Sequence, residues 1–382
     1  MKIAIIGPPK TGKTTIFNAL TGNSVSTDKY APVANEPNVA VVQVPDERVT
    51  KLSELYQPKK TIYAQIEYRD YPGIFSASNE NPDNAMFSDI KTCDGFVLVM
   101  RAFVDEELEE LYPLGEVLHQ LTNFEEEMLL MDLMIAEKRR EKIELGYKRG
   151  VKTPVLQFED KVLEEVCAQL QAGKPLREMQ LNAEEEKVIR GFKFFTQKPM
   201  IVLINCNEED YHNLDNLKSE IQAKGYTAEV IAGRFEEELS KLDNEEAKLF
   251  MEDIGIEESI KDRLTRLCYS MLGYISFFTV GEDEVRAWTI EKGSNAVTAA
   301  GKIHSDLARG FIRAECFNYN DLMEYGSEKH LREKGLFRLE GKDYIVQDGD
   351  IQWCADVLIC TKREGKDYIV QDGDILFIRF NV

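Results

Sequence analysis

Three short stretches hold the residue types that chemistry on a phosphorylated ligand needs. Residues 7–15 read Gly-Pro-Pro-Lys-Thr-Gly-Lys-Thr-Thr and fit the pattern G-x-x-x-x-G-K-[ST]. Gly7 and Gly12 let the backbone wrap closely, so that the amides of Lys10, Thr11, Gly12, Lys13, Thr14 and Thr15 can converge on a phosphate where a helix opens. Pro8 and Pro9 lack amide protons but precede the amides that do the cradling. Lys13 would place a point charge on the β- and γ-phosphates, and the Thr14 hydroxyl would bind Mg2+. The second stretch, Tyr-Arg-Asp-Tyr-Pro-Gly at 68–73, has D-x-x-G spacing. In that arrangement Asp70 holds Mg2+ through water and the Gly73 amide meets the γ-phosphate.

The third stretch, Asn205-Cys206-Asn207-Glu208, falls at the end of an apolar run where a base-reading turn would sit. A guanine-reading turn is Asn-Lys-x-Asp: its aspartate accepts from guanine N1–H and the 2-amino group, and its lysine packs over the base. Adenine offers neither donor, so a site built on those bonds discriminates strongly. Glu208 is one methylene too long for the guanine pair, and Cys206 cannot brace a base as lysine does. Strict guanine selection is therefore expected to be lost, with Asn205 still able to meet the base edge. Ala232, in Val-Ile-Ala-Gly after the next strand, is expected to line a second wall of the base pocket through backbone amides. The plainer alternative is a polar turn with no ligand.

These residues need a parallel sheet to position them. "KIAIIG" reads as a buried strand leading into the loop, and "TTIFNALTG" has helical apolar spacing closing on Gly22. Strands are expected at 61–70, 93–103, 199–205 and 227–233, an α/β pattern interrupted by a Glu-, Lys- and Leu-rich stretch. That stretch predicts an inserted helical hairpin or coiled coil, with further helices near 158–172 and 182–195. A connecting helix over 257–272 leads to short strands and one glycine-bounded helix, "VTAAGKIHSDLARG", in a small α+β domain. The division expected is 1–120 with 196–272 for the nucleotide-binding domain, 121–195 for the insertion and 273–382 for the terminal domain. "EGKDYIVQDGDI" occurs at 340–351 and again at 364–375, and only one copy can occupy a given hairpin; the first copy is expected to dock.

A net charge of −21 over 382 residues excludes a chain that grips nucleic acid over its whole surface. One local basic stretch, Arg286, Lys292, Lys302, Arg309 and Arg313, is either a nucleic-acid contact or a solvated face. Seven scattered cysteines without zinc-like spacing read as reduced and mostly buried. No leader pattern and no membrane-length apolar run is visible, so a cytoplasmic location is expected.

With these motifs in order, "NEPNVAVVQVPDERVTKL", "KPMIVLINCNEED", "FMEDIGIEES" and "EVRAWTIEKGSNAVTAAGKIHSDLARGFIRAE" resemble the YchF subfamily of Obg-related P-loop NTPases, the Obg-like ATPases, across essentially the whole chain. The resemblance implies a P-loop NTPase sheet with a helical insertion and a C-terminal β-grasp (TGS) domain. It also implies binding of ATP, GTP or both with Mg2+ and a ribosome or RNA contact through the TGS domain and the insertion; without a clear water-positioning residue hydrolysis is expected to be slow, and a monomer is expected. Family members carry a switch I threonine where this chain has Ala34, and a glycine-rich switch II where this chain has "IFSASNENPDNAM". Ile74 stands at the water-orienting position, and His119 is the nearest substitute histidine. The apolar residue at Ile74 is one the family shares, but the Ala34 and switch II departures are those of a divergent paralogue and leave open a nucleotide-binding adaptor with vestigial hydrolysis. Lys10 stands where related enzymes often have an asparagine that helps hold K+; its ammonium either replaces that cation catalytically or points to solvent.

Overall fold

The computed structural model describes residues 1–25, 36–73, 85–353 and 377–380. The chain begins with β1 (Lys2–Ile6), α1 (Lys13–Thr21), β2 (Asn38–Gln43), α2 (Glu47–Tyr56), β3 (Lys60–Ile62) and β4 (Gln65–Asp70). It continues through α3 (Ala85–Ile90), β5 (Gly95–Arg101), α4 (Glu106–Leu111), α5 (Val117–Lys148), α6 (Pro154–Gln171) and α7 (Ala183–Ile189). Then come β6 (Met200–Asn205), α8 (Asp215–Ala223), β7 (Thr227–Ile231), α9 (Gly233–Leu239), α10 (Asn244–Ile254) and α11 (Ile260–Met271). The remainder is β8 (Tyr274–Val280), β9 (Glu284–Glu291), α12 (Ala296–Ile303), α13 (Ser305–Arg309), β10 (Phe311–Asn318), α14 (Tyr319–Tyr325), α15 (Glu328–Lys334), β11 (Arg338–Glu340), β12 (Asp350–Trp353) and β13 (Phe377–Phe380).

The first compact unit, 1–42 with 67–264, is built on a six-stranded sheet of order β2-β4-β1-β5-β6-β7. β1 pairs in parallel with β4 and β5, β5 with β6, and β6 with β7. Their C-terminal ends therefore share one edge, which delivers Gly7, Asp70, Asn205 and Ala232 to the side where open α/β sheets bind ligands. β5 and β6 are buried at every position, the reason their sequences are unbroken apolar runs. α3, α5 and α8 contribute Phe87, Leu121 and Ile221 to the core on one face.

The insertion has its own core, in which Leu129, Ala136 and Ile143 of α5 meet Leu163, Val166 and Leu170 of α6. Arg139 bonds Glu159 in bidentate fashion across the two helices, at 2.7 and 2.8 Å. Thr153 caps α6 and Pro154 occupies its first turn, where a missing N–H costs nothing. The buried Asp132 carboxylate accepts from the Phe195 and Thr196 amides and the Thr196 hydroxyl, which fixes where the insertion returns to the sheet.

The 61–70 stretch is not one strand. It breaks at Tyr63 and Ala64, β4 joining β1 and β3 joining β9, so residues 43–66 belong to the second unit with 265–382 and not to the nucleotide-binding domain. That unit carries the strand order β11-β10-β12-β8-β9-β3. The single helix expected over 297–310 is two, because His304 is extended and its Nδ1 accepts from the Asp306 amide. The first repeat copy is docked: Tyr344, Val346 and Ile351 are buried, and Asp350 accepts from the Tyr344 hydroxyl and the Gln347 amide. β12 runs beside Asn318–Cys316 of β10, and Phe377 stands opposite the next residue, Glu315. The strand beside β10 is thus resumed in register one repeat length later; copy two, 364–375, lies outside the described residues.

Candidate nucleotide-binding site

The loop between β1 and α1 is shaped by close contacts that only glycine permits. Gly7 has φ 143°, and a Cβ there would sit 2.5 Å from the Val99 carbonyl oxygen. Gly12 has φ 95° and supplies no side-chain cap to α1. Lys10 adopts φ 58°, a left-handed conformation uncommon for a side-chain-bearing residue and a mark of a constrained loop. The buried Lys13 ammonium donates to the carbonyls of Gly7 at 3.1 Å and Pro8 at 2.6 Å. Burial lowers its pKa to about 8, the Asp70 charge opposing that shift and the Lys10 charge adding to it. Thr11, also buried, donates to the Pro8 carbonyl at 3.2 Å.

Asp70 closes the site from β4. Its Oδ2 accepts from the Thr14 hydroxyl at 2.8 Å and from the Asn38 amide at 3.1 Å. Its Oδ1 is buried and has no hydrogen-bond partner among the described residues. Burial raises the carboxyl pKa, against the bonds from Asn38 and Thr14 and the charge of Lys13. A hydroxyl and an under-used carboxylate oxygen side by side form a hard, oxygen-only donor set, which fits Mg2+. Gly73 packs on the phosphate loop so tightly that a Cβ would lie 2.6 Å from the Pro9 Cα.

The base-side turn differs from the sequence expectation. Asn205, 4% exposed, donates from Nδ2 to the Thr11 carbonyl at 2.9 Å and accepts at Oδ1 from the Gly233 amide at 3.0 Å. Its amide braces the phosphate loop against the start of α9 through one donor and one acceptor, and these two bonds leave a second N–H and a second lone pair unused among the described residues. Gly12 and Gly233 must lack side chains for this brace, because a Cβ would approach the Asn205 amide to 2.1 and 2.7 Å respectively. Cys206 also departs from a base-binding role: its thiol is buried in the core and donates to the Ile231 carbonyl at 3.4 Å, with burial raising its pKa to about 12. Glu208 is exposed at the start of a short 3-10 turn, and Ala232 is buried at the N-terminal boundary of α9.

Sequence reasoning missed two features. Asn38 reaches the Asp70 carboxylate, a contact hidden because its partner lies on the neighbouring strand β4. A cavity of about 530 Å³ opens beside the Asn205 turn, lined by Ala102, Phe103, Leu214 and Leu217 among others, and the Ala102 amide donates to the Asn205 carbonyl. The run Ala102-Phe103-Val104 after β5 is the only local signal that could have pointed there. His119 is exposed on α5 and bonded to Asn123 on its own helix, a helix-surface histidine. Ala34 and Ile74 lie outside the described residues. In the second unit, Arg286 lies over the Trp288 ring at 4.0 Å and Arg309 pairs with Asp306 at 2.7 Å, so two of the five bases are already engaged.

A phosphate loop at the switch point of a parallel sheet, a lysine inside it, and a Thr14–Asp70 pair beside it define a P-loop NTPase domain. A "50S ribosome-binding GTPase" family model matches residues 2–134, and the YchF GTPase C-terminal model, described as a protein of unknown function, matches 274–355. The chain is 37% identical over 355 residues to a Bacillus subtilis protein named ribosome-binding ATPase YchF, covering 91% of this chain and 96% of that one. It is 34% identical over 359 residues to Obg-like ATPase 1 of rice, covering 92% and 91%. The solved Schizosaccharomyces pombe YchF GTPase superposes with a TM-score of 0.77 at 31% identity, over 92% of this chain and 96% of that one. The chain belongs to the YchF family.

Proposed function

We propose that this protein is a Mg2+-dependent nucleoside triphosphatase that accepts ATP at least as well as GTP and hydrolyses it slowly. One observation carries the reading of the base: the Cys206 thiol, where a guanine-reading turn has its lysine, is buried against the Ile231 carbonyl and cannot pack over a base, while Glu208, one methylene longer than the guanine-pairing aspartate, stands exposed at the start of a 3-10 turn. The ATPase names of the bacterial and rice relatives support it. On binding, phosphate oxygens would take the place of the Gly7 and Pro8 carbonyls as acceptors for Lys13. Loop amides from Lys10 to Thr15 would surround the β-phosphate. Thr14 and Asp70 would hold Mg2+, which neutralises charge on the β- and γ-oxygens. Gly73, seated on Pro9, would bring its amide to the γ-phosphate. Lys10, whose charge reaches Lys13, would stabilise charge on the transferring group in place of a monovalent cation.

Nucleotide state would then control association with the ribosome; the partner is supported by the name of the bacterial relative, ribosome-binding ATPase. The contact would run through the TGS-like terminal unit and the helical insertion, with Lys292 and Lys302 as its exposed bases. A cytoplasmic monomer is the form in which this work would be done. Among the described residues no helix is long and apolar enough to cross a membrane. Single-turnover hydrolysis of ATP and GTP with Mg2+, comparing the parent with Lys13→Ala, tests the proposal. Lys13-dependent turnover is expected; its absence would leave a nucleotide-binding adaptor, the reading that Ala34 favours.

A further inference from the structure

We propose that Asn38 is a positioning residue for the divalent cation, its side-chain amide holding the Asp70 carboxylate in the pose that receives metal. The proposal rests on the metal-site reading given above. Two donors converge on one oxygen of Asp70, the Thr14 hydroxyl from the phosphate loop and the Asn38 amide from the head of β2. Together they fix a torsion that is otherwise broad for a carboxylate, and they leave the buried Oδ1 as the acceptor without a protein partner. Thr14 cannot do this alone. Once its hydroxyl oxygen faces a cation, its single proton is the only hold it keeps on Asp70. Asn38 touches the carboxylate through a group that no ligand needs, so its bond persists through metal binding and release.

The placement of Asn38 has a second consequence. β2 is an edge strand of the six-stranded sheet, with Val39 and Val41 about half exposed immediately after Asn38. Edge strands are the least constrained part of a sheet, and this one is tied at its first residue to the metal carboxylate. Ordering of Asp70 by the cation is therefore transmitted to the backbone of β2.

Asn38→Leu keeps the side-chain shape and removes the donor. The nucleotide-free parent and variant are titrated calorimetrically with ATP in EDTA and again in excess Mg2+, and amide hydrogen exchange is followed over residues 39–42 with and without Mg2+. The expected result is unchanged ATP affinity in EDTA, with the Mg2+ enhancement of affinity reduced about tenfold, the scale of one hydrogen bond to a charged group. Slowing of β2 exchange by Mg2+-ATP should appear in the parent and be lost in the variant. Val39→Thr, one residue along and exposed, should behave as the parent in all arms. An Mg2+ enhancement in Asn38→Leu equal to that of the parent overturns the proposal. So does an equal loss in EDTA and Mg2+, which would mark a purely structural role. A parent with no Mg2+ enhancement overturns the metal-site reading and this proposal together.

Discussion

Asn205→Ala separates a residue that builds the site from one that reads the ligand. Asn205 makes two hydrogen bonds in the interior, to the Thr11 carbonyl and from the Gly233 amide. Removing it orphans one buried acceptor and one buried donor, each worth about 1–3 kcal/mol when left without a partner. A loss of about 2–6 kcal/mol in unfolding free energy is expected, read from urea denaturation of the nucleotide-free protein. The same change frees the phosphate loop from the start of α9, so affinity should fall at least about tenfold, ~1.4 kcal/mol. ATP and GTP should suffer alike, because the two bonds lost are to protein partners. Calorimetric titration of parent and variant with both nucleotides measures the ratio. A ratio of ATP to GTP affinity that moves by more than about tenfold would refute the reasoning, for it would mean that the Asn205 amide contacts the base.

Other expectations follow from single contacts. Gly73→Ala forces a Cβ against Pro9 and should lower turnover by more than about tenfold, because it displaces the γ-phosphate contact proposed for the Gly73 amide. Cys206→Ala should cost about 1–2 kcal/mol of stability from lost packing and leave the ATP-to-GTP ratio unchanged. Burial raises the Asp132 carboxyl from 3.8 to about 6, so its contribution to stability is fully present below about pH 4 and is lost as pH rises through 6. The parent should lose about 2–3 kcal/mol over that window relative to Asp132→Asn in denaturant titrations at each pH. Deleting 352–375 joins Ile351 to Leu376 and leaves Phe377 opposite Glu315; a folded protein within about 1 kcal/mol of the parent, or more stable, is expected in thermal melts.

The elements whose signal is local were legible in the sequence. β5 and β6 announce themselves as continuous apolar runs because both of their faces are covered, and α1 ends at Gly22 in the left-handed conformation that glycine favours. The phosphate loop was readable for the same reason, since its glycines and Lys13 act within a few residues of one another. What failed was non-local. Alternation over 61–70 describes a strand but not which sheet it enters, and here its two halves enter different ones. A side chain in the base turn could be assigned a type but not a direction. Cys206 turns inward to Ile231, and Asn205 reaches a loop almost two hundred residues earlier in the chain. Asn38 was hidden likewise, quoted within a family-like stretch while its partner Asp70 lay on the neighbouring strand. The break at His304 was masked because residues on both sides of it suit a helix equally well.

The central claim concerns the base and the metal together, and one measurement addresses it most directly. The nucleotide-free protein is titrated calorimetrically with ATP and with GTP, each in EDTA and in Mg2+. ATP affinity equal to or greater than that for GTP, strengthened by Mg2+, is the result expected from a base turn whose Cys206 is buried and whose Glu208 is too long for the guanine pair, and from a Thr14–Asp70 metal site. A GTP affinity exceeding that for ATP by about a hundredfold, ~2.7 kcal/mol, would contradict it and return guanine recognition to Glu208.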